Sequence, residues 1–264
     1  MTINNQLLKK AGGKLVQWAV CGAIVYAVWE WLLAPNVSQV FFSRPGPVWD
    51  TLWSWGSDGT LWSITQATLI ESGAGFGIGA ALGIIAALAI ALLPGVVGKL
   101  VEPFVAALYA MPKFVLIPVL FVWMGAGLTP RVVVVAAAVF PIMTIYTVTG
   151  VRTVDPDRVR ALTLFGASRS QVATKLLLPH SLGYVITGVT FAAPHAVFLA
   201  IGAEILFGTP DGIGGLLNTQ AQIFNAPAVL AALVVATALS LVLMTGVRQL
   251  GLQFTGPEGL RGRQ

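Results

Sequence analysis

The chain has 264 residues, of which 56% are hydrophobic and only 9% charged, with a formal net charge of +5. Soluble globular proteins carry about a quarter charged residues, so a mean hydropathy of +0.85 excludes a soluble fold and defines a polytopic membrane protein. The single cysteine, Cys21, excludes an intrachain disulfide framework and a cysteine-rich metal site, and the positive excess marks membrane sidedness rather than nucleic acid.

Residues 1–15 carry Lys9, Lys10 and Lys14 and precede an apolar run with no small-residue cleavage site behind it. That run is expected to be retained as a first helix. A bilayer crossing takes about 20 apolar residues. Val16–Ala34, Ser72–Val97, Val101–Met124, Val132–Val151, Leu182–Ala203 and Ala226–Val247 all qualify. The expected architecture is an all-α membrane protein with six transmembrane helices in one domain, residues 16–250. With the N-terminus inside, only Arg44 and Arg131 of the 15 lysines and arginines fall outside, and Lys113 lies within a span. Both termini are therefore expected in the cytoplasm. The tail 251–264 is expected to be cytoplasmic too, and disordered from Gly256.

Between the first two spans, Pro35–Ala67 is an outside segment holding Trp49, Trp53, Trp55 and Trp62. It reads as an amphipathic helix at headgroup level, where tryptophan prefers to sit. In the second span, Gly75, Gly79 and Gly83 share one face at a spacing of four, which is a close-packing seam rather than a nucleotide loop. Pro103, Pro112 and Pro118 punctuate the third span and Pro141 the fourth. Freed carbonyls in lipid need neighbours or water, so the third span reads as a kinked helix lining a pathway.

Lys113 lies in that span, at an insertion cost on the order of 2.5–3.5 kcal/mol. It is either an attractor for an anionic solute, a partner of Glu204 or Glu102, or a side chain snorkelling to the interface. Glu204 closes the fifth span as a gate, a helix anchor or a solute contact. His180 and His195 lack partners at metal spacing, and His195, behind Pro194, can line a cavity. Gly208–Asn225 is glycine-rich without lysine or arginine and reads as an outside loop.

The one long polar interruption, Val151 to Ser181, has the pattern of two short helices. Asp155 caps the first, with Pro156 in its opening turn. Gly166 supplies the left-handed turn that ends it. Ser168 and Gln171 form a capping box for the second, and Pro179 is expected to close it. With Arg158, Arg160, Arg169 and Lys175, this is a docking lobe for another protein rather than a lipid-buried segment.

The register Arg160-Ala161-Leu162, Gly166 and Leu176-Leu177-Leu178-Pro179 resembles the EAA loop of type I ABC importer permeases. That pattern is Glu-Ala-Ala, three residues, Gly, nine residues, Ile-x-Leu-Pro. Arg160 stands where the glutamate belongs and Leu162 replaces the second alanine. Tyr109-Ala110-Met111-Pro112-Lys113, Leu116-Ile117-Pro118, Trp123-Met124-Gly125-Ala126-Gly127 and Ala203-Glu204 with Gly212-Ile213-Gly214 are similar to the branch serving nitrate, sulfonates and taurine.

The resemblance spans roughly residues 15 to 250 and implies the transmembrane subunit of an ATP-driven importer, acting as a homodimer in the cell (inner) membrane. It implies two cytoplasmic ABC ATPase subunits docked at Arg160, Ala161, Leu162, Gly166, Ala167, Leu178 and Pro179, and an extracytoplasmic solute-binding protein. Pathway residues would be Pro112, Lys113, Pro118, Trp123, His195 and Glu204. No catalytic residue, metal or cofactor is expected in this chain, ATP and Mg belonging to the ATPase. The substrate expected is nitrate, a sulfonate or a taurine-like solute, or alternatively a small heterocyclic vitamin precursor. A secondary transporter would call for inverted repeats and more intramembrane carboxylates, and an intramembrane enzyme for a nucleophile–base pair.

Overall fold

The computed structural model of the chain describes residue 17 and residues 20–38, 41–92 and 96–259. The N-terminal lysines, the beginning of the expected first span and Arg261 and Arg263 lie outside the described residues. Among the described residues ten helices follow in order: α1 Val20–Asn36, α2 Pro45–Ser57, α3 Thr60–Leu92, α4 Val96–Ala110, α5 Leu116–Met124, α6 Leu128–Arg152, α7 Pro156–Leu164, α8 Arg169–Phe207, α9 Gly212–Gln222 and α10 Ala226–Gly259. No strand occurs among the described residues.

Helices α3, α6, α8 and α10 are long and apolar enough to cross a bilayer, and α4 with α5 forms a further span broken by 85°. Helix α1 adds an apolar segment whose described part is about 25 Å long at 1.5 Å per residue. The span boundaries shift in one informative place. Helix α3 begins at Thr60, well before the expected Ser72, and holds Thr68 and Glu71 buried within it. Trp62 therefore sits on α3, while Trp49, Trp53 and Trp55 sit on α2.

The chain divides into two compact units. The smaller comprises residues 1–61 and 217–233. Within it Trp29 donates its indole N–H to the Ser43 carbonyl at 2.8 Å, Arg44 pairs with Glu30 at 2.9 Å, and Phe41 meets Phe224 edge-on. The Asp58 carboxylate accepts the Thr60 amide at 2.8 Å, which holds its pKa below the usual carboxylate value.

The larger unit comprises residues 62–216 and 234–264. Its core is built on α6, whose span is 61% buried against 28% for α3. Val134, Val135, Val139 and Met143 of α6 pack with Ala192, Ala196, Ala200 and Ala203 of α8, and Ile117 of α5 joins them. The small residues on α8 let the two helices approach, as membrane packing requires where no hydrophobic force acts between helices.

The glycine seam of α3 lies on the same helix. A Cβ at Gly75 would sit 2.5 Å from Val135 Cβ, and one at Gly79 would sit 2.7 Å from the Ala136 carbonyl. One at Gly83 would sit 2.7 Å from Met143 Cβ, whereas Gly73 and Gly77 face open space.

Two expectations are corrected. Pro179 does not close a helix: α8 runs from Arg169 to Phe207, with a π turn over Ala173–Leu177 just ahead of the proline. The wider turn displaces the Lys175 carbonyl that the ring would otherwise strike at i−4, so the helix passes through. The glycine-rich segment after span five is not a plain loop, because α9 forms within it. Helix α10 runs as far as Gly259.

Candidate functional site

The polar lobe between α6 and α8 is set by local chemistry. Asp155 accepts the Asp157 amide at 2.9 Å, with Pro156 in the first turn. At the other end Gly166 adopts φ +84°, its amide reaches the Thr163 carbonyl at 3.0 Å, and the Ala167 amide reaches the Leu162 carbonyl at 3.0 Å. That pair of bonds is a Schellman cap. The capping box follows directly: Ser168 accepts the Gln171 amide, and Gln171 accepts that of Ser168.

Helix α7 is thus closed at both ends, and its inner face is anchored. Val159, Leu162 and Ala167 pack on the buried cluster of Val151, Val154, Val172 and Leu177. Its tip does the opposite. Leu164 and Phe165 are 87% and 89% exposed, an apolar pair presented to solvent by an otherwise polar lobe. Sequence reasoning missed these two. The signal was present, since they fall off the Val159–Leu162 face immediately before the terminating glycine.

Arg160 pairs with Asp157 of the same helix at 3.0 Å, both strongly exposed. The charge reversed relative to the family glutamate is thereby countered within α7 itself. Ala161 is also exposed, Leu178 is half-buried and Pro179 is exposed.

Among the expected pathway residues, Glu204 is the most constrained. It is fully buried on α8, where Oε1 accepts the Thr68 hydroxyl of α3 at 2.7 Å and Oε2 accepts the Gly214 amide of α9 at 2.6 Å. The Thr68 oxygen in turn accepts the Ile213 amide at 2.9 Å. A Cβ at Gly212 or Gly214 would collide with the Glu204 carboxylate, which explains why glycines open α9. One turn along α3, Glu71 Oε2 pairs with Arg131 of α6 at 2.7 Å, the two side chains being 1% and 11% exposed. Arg131, which charge counting expects outside, is the largely buried partner of Glu71. Neither Thr68 nor Glu71 carried a sequence signal, because their partners are distant in the chain.

Lys113 pairs with neither Glu204 nor Glu102. It occupies the break between α4 and α5, donates to the Tyr109 carbonyl and lies 5.3 Å from the centre of the Tyr109 ring. It thus serves a carbonyl at a helix end that lacks a backbone donor. Pro112 precedes it in extended backbone, and Val115 bonds back to the Pro112 carbonyl at 3.0 Å. Pro118, Trp123 and His195 are exposed, with His195 Nδ1 2.8 Å from the Phe191 carbonyl oxygen of its own helix. A cavity of about 460 Å³ opens elsewhere, lined by Glu102, Pro103, Thr144, Val148, Thr149 and Arg152 among others.

A bundle of apolar helices with a capped, solvent-facing lobe and buried glycine-lined crossings is the framework of a membrane-embedded transport subunit. The chain belongs to the family of binding-protein-dependent transport system inner membrane components, whose pattern matches residues 79–251. It is the transmembrane permease subunit of an ABC importer.

The chain is 27% identical over 240 residues to the taurine transport system permease protein TauC of Escherichia coli (strain K12), covering 88% of this chain and 86% of that one. It is 31% identical over 208 residues to the riboflavin transport system permease protein RibX of Chloroflexus aurantiacus, covering 76% and 75%. Its fold matches that in a crystal structure of a bacterial ABC transporter involved in alginate import, with a TM-score of 0.66 at 16% identity over 95% and 99% of the two chains.

Proposed function

We propose that α7 is the element through which a cytoplasmic ATPase drives this permease, with Leu164 and Phe165 as the groups that enter it. The observation carrying this is an exposed apolar tip on a helix capped at both ends and rooted between two spans. A rigid lever of this kind transmits displacement instead of absorbing it. Arg160, Ala161, Leu162, Gly166, Ala167, Leu178 and Pro179 shape and orient it. Two such chains would pair around one pathway, each engaging one of two ATPase subunits that hold ATP and Mg. A solute-binding protein would deliver cargo on the opposite face. Both termini and the α6–α8 lobe then lie in the cytoplasm, and residues 16–250 act as one membrane domain.

The cargo is a small solute. The relative named for taurine transport favours a sulfonate or taurine-like compound, and the relative named for riboflavin transport supports a heterocyclic vitamin or precursor as the second reading. The test is to tag the chain, purify it from its native membrane and identify what co-elutes. An ATPase should be retained by the unaltered chain and lost from the Leu164→Asp/Phe165→Asp variant while membrane insertion is unchanged. Equal recovery of the ATPase with both chains would exclude the tip as its contact.

A further inference from the structure

The cavity at the lobe end of α6 has a polar composition that selects a ligand class. Its wall is largely apolar, from Ile90, Val105, Ala106, Ile145 and Val148, and its volume of about 460 Å³ lies within the range of small-molecule sites. Four polar side chains interrupt that wall: Glu102, Thr144, Thr149 and Arg152.

Both threonine hydroxyl protons are already committed. Thr144 donates to the Phe140 carbonyl and Thr149 to the Ile145 carbonyl, each at 2.8 Å; Thr144 is fully buried, so it is the exposed Thr149 that offers the cavity an acceptor oxygen. Glu102 is also an acceptor. Arg152 is the one donor of the four, and its guanidinium pairs with Glu102 through one of its nitrogens. That pair is 62% exposed at Arg152 and 39% at Glu102, so it can exchange partners at small cost.

We infer that this cavity binds a small zwitterion, with its ammonium group against Glu102 and the Thr149 oxygen and its oxyanion in the Arg152 fork. A bare anion such as nitrate would meet one donor beside two acceptors and leave Glu102 facing like charge. A bare cation would leave Arg152 without a partner. A zwitterion satisfies both, since an ammonium brings only donors and a sulfonate or carboxylate brings only acceptors.

The site also sits at the root of the lobe: Arg152 ends α6, and Asp155 caps α7. Occupancy is therefore felt where the α7 lever is attached. The inference deepens the proposed cargo by choosing among its classes, and it rests on that reading. The same chemistry could come from a free aminosulfonate or from an ethanolamine lipid headgroup.

The test uses the full transporter in nanodiscs of phosphatidylglycerol, with equilibrium binding of taurine, β-alanine, isethionate and ethanolamine measured without nucleotide. At least one zwitterion should bind ten-fold or more tightly than isethionate or ethanolamine. Glu102→Gln should reverse the preference between taurine and isethionate, and Arg152→Gln should weaken both. A pair that merely holds α4 to α6 would not move that ratio.

Competition by added phosphatidylethanolamine would place the headgroup in the same site, and its absence would assign the site to soluble solute. Isethionate binding as tightly as the zwitterions, an unchanged ratio in Glu102→Gln, or no zwitterion binding would overturn the inference. Retention of the ATPase in the same preparations reports separately on the α7 reading, so the two can fail independently.

Discussion

The Thr68 hydroxyl lies 2.7 Å from Glu204 Oε1, joining α3 to α8 across 136 residues of sequence. Because the same oxygen accepts the Ile213 amide, Thr68 and Glu204 together hold the beginning of α9 against two spans. Thr68→Val should therefore strand a buried carboxylate oxygen and a backbone amide, destabilising the fold by about 1–3 kcal/mol. Thr68→Ser keeps both bonds and should melt near the unaltered protein in detergent. Equal melting of the Val and Ser variants would show that the hydroxyl contributes nothing.

The neighbouring Glu71–Arg131 pair makes a sharper case. Among the described residues Glu71 Oε1 has no hydrogen-bond partner, and Arg131 provides the ion-pair contact of this buried carboxylate. Removing one member of a buried pair leaves an uncompensated charge, and Arg131→Gln should cost roughly 3–5 kcal/mol. The double variant Glu71→Gln/Arg131→Gln removes both charges and should recover most of that loss. Thermal unfolding of the three proteins checks it, and a double variant no better than the single would contradict the charge explanation.

The glycine seam predicts opposite outcomes two residues apart. Gly79→Ala places a methyl 2.7 Å from the Ala136 carbonyl and should push α3 off α6, lowering both stability and uptake. Gly77→Ala meets nothing and gains helix propensity, about 0.5–1 kcal/mol in soluble helices. Uptake by cells carrying each variant, normalised to membrane content, separates them.

At the lobe, Gly166→Ala forces a side chain into φ +84°, a strain of about 1–2 kcal/mol, and Asp155→Ala removes a cap worth about 1 kcal/mol. Each should reduce ATP-driven uptake more than it reduces expression. Gly166→Pro, or deletion of residues 161–167, should abolish uptake while insertion persists. Normal uptake in the deletion would remove α7 from the transport cycle.

What the sequence by itself determined follows from short-range physics. Runs of apolar residues must be helical in lipid because every amide needs an internal partner, so the spans were legible from hydropathy. The caps at Asp155, Gly166 and Ser168–Gln171 were legible because each acts within a few residues of itself. Tertiary structure alone decided the rest. Whether Pro179 stops a helix depends on whether the preceding turn can widen, and here it does. Whether glycines after Gly208 form a loop depends on acceptors elsewhere, and Glu204 and Thr68 supply them to α9. The partners of Glu71 and Glu102 were beyond sequence reach for the same reason: a charge in an apolar span must find a counter-group, but only the packing of distant helices selects which one.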